Sequence, residues 1–447
     1  MVFLRLFRPR GWILLAVGAL ALLLALVLGR RDLLTIAVFC CALPAVASAA
    51  VYLIKPGFTV KRTVTPVLGR VGSPVSVTLD VHGRTPGGGR IKLVEELPVS
   101  FRDVPTFTHP HPVVPRGLLS RYHYSLHPGH RGVFTIGPLR GQFSDPFDIT
   151  AVQRGLDDGG RLAIAPAAVE LPSISLTDGR GQDGSHSTPE LAHASHDDAM
   201  TREYRYGDPL RRVHWPVTAR QGKLMVRAEE SVTTPEAALV IDRRATAFGE
   251  SSKAMERFQI AGHSMVGLPE LRTTAAFETA IVAAASIATH LLERGYLLRV
   301  LDHVGLPGFA SSESAPDPGA EEYSGSQGVF DVAAALAALE LNESTPTPQM
   351  PFANGLAHKL HEGRRRGPLV AVTGLLSEAE ALLLADMAES TQSAFALILC
   401  QDPVQSEPAL EVLRRAGWRA TALTPAMHLE EAWLNLDQPA ALARWQG

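Results

Sequence analysis

The stretch TREYRYGDPLRRVHWPVTARQGKLMVRAEE, residues 201–230, gathers side chains able to do chemistry. It holds six Arg, one Lys, two Tyr, one Trp and one His among Glu203, Asp208, Glu229 and Glu230. Guanidinium groups at this density can fork onto carboxylates or phosphates in bidentate pairs. Tyr, Trp and Arg are also the types enriched at interface hot spots. Catalysis would need a nucleophile–base pair or converging carboxylates, and the spacing shows neither. Single-stranded nucleic acid could stack on the aromatics, but the interleaved acids oppose it. Two readings stay open. In one, the arginines pin the segment in place through Glu203, Asp208 and Glu230, with Trp215 as a packing anchor. In the other, Arg202, Arg211, Arg220 and Arg227 stay partly unpaired and form a docking surface or anion pocket.

Local signals divide the segment in two. Asp208 can cap a short helix with Pro209 at its first position. Pro216 is expected to end or kink that helix, because it lacks an amide donor. Residues 220–223 form a turn, and KLMVRAEE (223–230) forms a strand leading toward AALVID (237–242).

The rest of the chain must position this segment. At 447 residues it exceeds one ordinary core, so several domains are expected. Net charge is −3, but residues 1–62 carry eight Lys or Arg against Asp32 alone, which is +7, so the remainder carries −10. An acidic body repels phosphate backbones and argues against nucleic acid as a partner. Three Cys at positions 40, 41 and 400 suggest neither a zinc site nor a disulfide framework.

Residues 12–29 and 33–54 carry no charge. As helices they reach roughly 27 and 33 Å at ~1.5 Å per residue, enough for a hydrocarbon core of ~30 Å. Only Arg30, Arg31 and Asp32 separate them, so residues 1–56 read as a transmembrane hairpin, with Trp12 and Tyr52 as interfacial aromatics. Arg5, Arg8, Arg10, Lys55, Lys61 and Arg62 flank it, against two arginines in the loop, so both ends are expected in the cytoplasm.

Residues 57–172 alternate apolar and polar side chains, as in Val75, Val77, Leu79 and Val81, with Gly and Pro between runs. That pattern predicts an antiparallel β-sandwich of immunoglobulin-like size. His109, His111, His123, His127 and His130 fit no metal-ligand spacing and read as exposed strand and loop residues. Residues 173–198 are polar and Gly-bearing, a flexible linker. Residues 199–232 hold the Arg-rich segment. From 233 to 447 strands alternate with helices, which predicts an α/β domain with a mainly parallel sheet. Thr274 and Gly295 bound one helix, and 303–327 is a long loop expected to be mobile. Asp242, Asp302 and Thr373-Gly374 fall at strand C-termini, where such sheets bind ligands. No phosphate-binding glycine loop is present.

Arg202, Glu203, Tyr204, Gly207, Asp208, Arg211, Trp215, Ala219, Arg220, Leu224, Val226, Arg227 and Glu230 stand at fixed spacing. With RGVFTIGPL…SDPF (131–147), this pattern resembles the signature of the bacterial family called domain of unknown function 58. Pro216 departs from it. The resemblance implies a C-terminal von Willebrand factor A-like domain, and so a multidomain α+β chain of hairpin, sandwich and A-type domain. Such domains often carry a metal-dependent adhesion site. Here the stretch reads Asp242-Arg243-Arg244-Ala245-Thr246, with Arg244 where a serine ligand should be, and TGLL (373–376) lacks an acid nearby, so no functional metal and no cofactor is expected.

The resemblance further implies partnership with a MoxR-type AAA+ ATPase and association with a transglutaminase-like membrane protein. The expectation is therefore a non-enzymatic scaffold in the cell membrane, touching the lipid bilayer, with its body in the cytoplasm. A hydrolase or ligand-binding enzyme acting on envelope precursors, and a purely structural subunit, are the alternatives.

Overall fold

Two apolar helices open the chain, as the uncharged runs predict. The structure is a computed structural model that describes residues 7–53, 57–83, 91–98, 100–101, 104–109, 119–145, 147–176, 201–204, 213–227, 234–249, 271–342, 351–352, 354–362, 367–425 and 427–437. Helix α1 is Pro9–Leu28 and α2 is Arg31–Leu53, with mean hydropathies of 2.7 and 2.2, both long and apolar enough to cross a membrane. Gly29 turns the chain between them at φ +66°, a conformation that glycine adopts without a Cβ clash. The buried positions recur at steps of seven, three and four on both helices: Gly11, Gly18, Ala21 and Ala25, then Ala37, Pro44, Ala47 and Val51. A Cβ on Gly18 would stand 2.7 Å from Cys41 Sγ, so the small residue permits the close approach of the helices. Leu23, Leu26, Val27 and Phe39 stay exposed.

The β-domain follows, with β1 (Phe58–Thr65), β2 (Leu68–Arg70), β3 (Val75–Gly83), β4 (Ile91–Glu95), β5 (Thr106–His109), β6 (Leu119–Leu126), β7 (Gly132–Ile136), β8 (Leu139–Ser144), β9 (Ala151–Gly155) and β10 (Gly160–Ala165). They form three sheets, β1-β3-β6, β2-β10-β7 and β5-β4-β8-β9, around one core. Val75, Val77, Leu79 and Val81 point into that core, the alternation the sequence shows. Val51, from the end of α2, packs there too. Arg62 bridges Glu95 at 2.7 Å and Asp157 at 2.8 Å inside the domain. Burial pushes the Glu95 carboxyl up, and Arg62 pulls it the other way.

His109 differs from expectation. It is buried, within reach of Tyr122 Oη and the Gly83 carbonyl, and burial lowers its pKa. The apolar alternation of β5 draws it inward. His123, His127 and His130 are exposed, and His111 lies outside the described residues. Among the described residues no three His, Cys, Asp or Glu side chains group as metal ligands.

The Arg-rich segment contributes β11 (Thr201–Glu203), α3 (Trp215–Gln221) and β12 (Met225–Arg227), in which β11 and β12 make a separate two-stranded sheet. The α/β domain comprises β13 (Glu236–Ile241), α4 (Ala275–Glu293), β14 (Leu297–Asp302), β15 (Glu322–Tyr323), α5 (Gly325–Ala337), α6 (Asn354–His361), β16 (Pro368–Thr373), α7 (Glu378–Ala385), β17 (Ser393–Leu399), α8 (Pro403–Arg415), β18 (Arg419–Leu423) and α9 (Leu429–Asn435). The sheet order is β15-β14-β13-β16-β17-β18, parallel except for β15. Alternate residues serve two cores. Val370, Val372, Phe395 and Leu397 face α4, α5 and α9, whereas Leu369, Ala371, Ala396 and Ile398 face α6, α7 and α8. Both faces are covered, hence the continuous apolar runs. Helix α4 is capped by Thr274, whose hydroxyl accepts from the Phe277 amide at 3.2 Å. Its composition would suit a membrane span, but 67% of its apolar window is buried inside the domain.

Two polar stretches pack more closely than their composition predicts. In the loop after β14, Phe309 is fully buried. There Ser312 and Ser314 donate to the Ala335 and Ala334 carbonyls at 2.5 and 2.6 Å, satisfying the end of α5. At the start of the expected linker, Leu176 is buried, its carbonyl accepts from Ser393, and Ser175 accepts from Arg419. Trp433 donates to Pro172 at 3.0 Å. Residues 177–200 lie outside the described residues.

His290, on α4, stacks edge-on to Trp433 with ring centroids 5.5 Å apart. Burial and then Arg294 lower its pKa to about 4. In the unfolded chain it takes a proton near pH ~6.5. Between those values the unfolded state binds the extra proton, so stability falls as pH falls. The slope is at most ~1.4 kcal/mol per pH unit for one group. Urea titrations at pH 7 and pH 5 should show a larger loss for the parent chain than for His290→Leu. Equal losses would remove His290 as the cause.

Candidate functional site

Two places collect the residues that the sequence singles out. The first is the carboxyl edge of the six-stranded sheet. Helices pass to opposite faces on either side of β13 and β16, so the crevice between these strands is where a sheet of this kind binds ligands. Asp242 follows β13 and Thr373 ends β16, and the Asp242 amide donates to the Val372 carbonyl at 2.9 Å. Both residues are completely buried.

The chain itself fills that crevice. Arg244 curls back onto Asp242, donating from Nε at 2.9 Å to one carboxylate oxygen and from Nη2 at 2.8 Å to the other. Its backbone amide donates to Asp242 at 3.0 Å. Nη1 reaches Glu380 on α7, and the guanidinium lies 5.3 Å from the Phe352 ring centroid. Burial works against the charge on Arg244, but Asp242 and then Glu380 outweigh it and hold its pKa above the ordinary value. Glu380 also completes a capping box with Ser377. An acid therefore does stand near TGLL, contrary to the sequence reading, brought there by the first turn of α7.

Arg243 turns the other way, donating to the Glu340 carbonyl at 3.0 Å and to Asn342 Oδ1 at 2.5 Å. Ala247 and Phe248 close the crevice, and a Cβ on Gly374 would meet the Ala247 carbonyl oxygen at 2.3 Å.

A divalent cation does not fit these residues. Both Asp242 oxygens are engaged by a guanidinium, and a fixed positive charge stands where a ligand oxygen would have to be. At this crevice two buried polar atoms, Thr373 Oγ1 and His303 Nδ1, have no hydrogen-bond partner among the described residues. His303 Nδ1 lies 3.9 Å from Asp242 Oδ1. Burial lowers the His303 pKa; Asp242 and Asp302 oppose that, while Arg244 and Arg243 add to it. Asp302 has a local task, since Oδ1 accepts from the Val304 and Leu306 amides at 3.0 and 2.8 Å and fixes its own turn. His303 and Glu380 escaped sequence reasoning. The available signal was the pair Arg243-Arg244 directly after a buried strand, which demands acids nearby.

The second place is the Arg-rich segment. β11 and β12 pair antiparallel, Arg202 opposite Val226 and Glu203 opposite Met225. Helix α3 begins at Trp215 with Pro216 in its first turn, and the His214 ring accepts from the Val217 amide at 3.4 Å. Pro216 thus starts a helix rather than ending one, because its missing amide falls among the donors a first turn leaves free. Gly222 closes the helix at φ +67°. Thr218 Oγ1 accepts from Met225 at 3.0 Å, joining α3 to β12. Val213, Met225 and Val226 are buried, whereas α3 itself buries no residue.

Trp215 is 64% exposed, so it is not a packing anchor. Arg220 is exposed on the same helix, with no ion-pair partner among the described residues. Glu203 pairs with Lys223 at 2.8 Å, both well exposed, a contact of small energetic weight. Tyr204 is half-buried, its amide donating to the Leu224 carbonyl. Gly207, Asp208, Arg211 and Glu230 lie outside the described residues, as do the side chains of Arg202 and Arg227. The structure therefore brings Glu203, Tyr204, Trp215 and Arg220 onto one small α–β unit, about which the helix expected at Asp208-Pro209 is not described.

Residues 200–268 match the family model described as "Protein of unknown function DUF58". No curated protein matches the chain.

Proposed function

We propose, starting from the match of residues 200–268 to the DUF58 family model of unknown function, that this chain is a membrane-anchored adaptor without catalytic activity. The observation that carries this reading is Trp215, 64% exposed at the start of a helix that buries none of its residues, with the exposed Arg220 near the other end of that helix. The indole forgoes burial, and the guanidinium has no ion-pair partner among the described residues. Both are the types that dominate interface hot spots.

In this reading the hairpin crosses the bilayer with both ends in the cytoplasm, following the excess of basic residues outside it over those in its loop. The β-domain is the immunoglobulin-like spacer, and the six-stranded domain is the von Willebrand factor A-like body. Arg244 serves that body as an internal cation. The docked partner is a MoxR-type AAA+ ATPase in envelope-linked assembly, with a transglutaminase-like membrane protein in the same complex. This partner class follows from the family resemblance.

Capture of the cognate ATPase by the full chain in detergent tests the docking surface. Trp215→Ala with Arg220→Glu should weaken capture by about 30-fold or more, since losing one hot-spot aromatic costs ~2 kcal/mol. The melting temperature should not change, because both side chains are exposed. Unchanged capture would remove this surface as the dock. A lowered melting temperature with unchanged affinity would favour a purely structural role.

A further inference from the structure

The β8–β9 loop, residues 145–150, is built around one carboxylate. Asp145 is buried and accepts from the amides of Phe147 (2.9 Å), Ile149 (2.8 Å) and Thr150 (2.5 Å), and from the Thr150 hydroxyl. Asp148 takes φ +56°, an uncommon conformation for a residue with a Cβ. Residues 147–150 are therefore gathered around Asp145, and in that arrangement Phe147 stays 63% exposed.

This loop lies against the base of the hairpin. The Ile149 carbonyl accepts from the Arg8 amide at 2.9 Å, and the Asp148 carboxylate pairs with Arg8 Nη1 at 2.8 Å. Phe7 bridges to Thr150, and a Cβ on Gly11 would stand 2.6 Å from the Ile149 oxygen. The other helix is fixed as well. Val51 sits in the β-domain core, and the Arg154 guanidinium lies 5.7 Å from the Tyr52 ring while donating to its carbonyl. The β-domain is thus clamped to both membrane-side ends of the hairpin. The loop stands level with the start of α1, where Arg8, Arg10 and Trp12 mark a boundary between water and lipid.

We infer that residues 147–150 are a lipid-interface anchor, with Phe147 seated at the headgroup boundary beside the first turn of α1. This rests on the reading of the hairpin as membrane-spanning. At this depth the ring replaces contact with water by contact with acyl chain.

Site-directed spin labelling of the full chain tests it. The chain, with Cys40, Cys41 and Cys400 changed to Ala, is reconstituted in vesicles of phosphatidylethanolamine and phosphatidylglycerol. Nitroxides are placed through Phe147→Cys, Leu23→Cys and Glu411→Cys. Leu23 is exposed on α1, eleven residues past Trp12; Glu411 is exposed on α8 of the α/β domain. Accessibility to oxygen relative to a water-soluble nickel chelate should be several-fold higher at 147 than at 411, approaching the value at 23. If 23 reports lipid while 147 matches 411, or is shielded from both reagents, the anchor is overturned and the spanning hairpin stands. If 23 itself reports water, both fall.

Discussion

Replacing Arg244 with Ala is expected to lower stability by about 3–5 kcal/mol, the cost of leaving a buried charge without its partner. Asp242 is completely buried, and Arg244 is its bidentate partner. The same guanidinium ties the end of β13 to the first turn of α7 through Glu380. The double variant Asp242→Asn, Arg244→Met should recover much of the loss, because it removes the orphaned charge together with its partner. Arg244→Lys should recover little, since an ammonium cannot fork onto two oxygens while reaching a second acid. Urea denaturation of the four chains measures these differences. Chelators and added magnesium should leave the parent midpoint unchanged. A single variant within ~1 kcal/mol of the parent, or a parent stabilised by magnesium, would show that the carboxylate has another partner.

Arg131→Ala should cost about 2–4 kcal/mol and uncouple the β-domain from the α/β domain. The Arg131 side chain is 2% exposed, forks onto Glu278 of α4 with both bonds at 2.9 Å, and donates to the Leu336 carbonyl at the end of α5 at 2.7 Å. Hydrogen bonds to a charged group contribute ~1.5–3 kcal/mol each. Glu278 keeps 39% exposure, so water can solvate the acid left behind, which sets this loss below that of Arg244. The guanidinium is a donor bridge between a strand domain and two helix ends. Without it the two domains should melt in separable steps, visible by calorimetry. Arg131→Lys should fail to restore a single step. One unchanged cooperative transition in Arg131→Ala would assign the coupling to apolar contacts instead.

Much of the fold was legible in the sequence because its signals are local. Two uncharged runs gave two helices, the alternation in β3 gave its inward face, and Thr274 gave the start of α4. The departures are equally specific. Proline suits a first turn as well as it ends a helix, so Pro216 alone predicts a terminator as readily as a start, and only the position of His214 as cap separates the two. The loop after β14 has a length that predicts mobility. It packs because its serines meet carbonyls at the end of α5, a helix distant in sequence. His109 was read as exposed, and its burial depends on Gly83 and Tyr122 from other strands.

The same division holds for the candidate sites. Residue types, spacing and charge were enough to mark 201–230, to place Asp242 at a strand end, and to suggest that a cation beside it would exclude a metal. Those are properties of short stretches of chain. What Arg244 holds, that Glu380 shares it, that Trp215 faces water and that Phe147 stands beside the first turn of α1 were decided by tertiary structure. Each depends on where a distant segment comes to lie, and long-range contacts leave no period in the sequence that carries them.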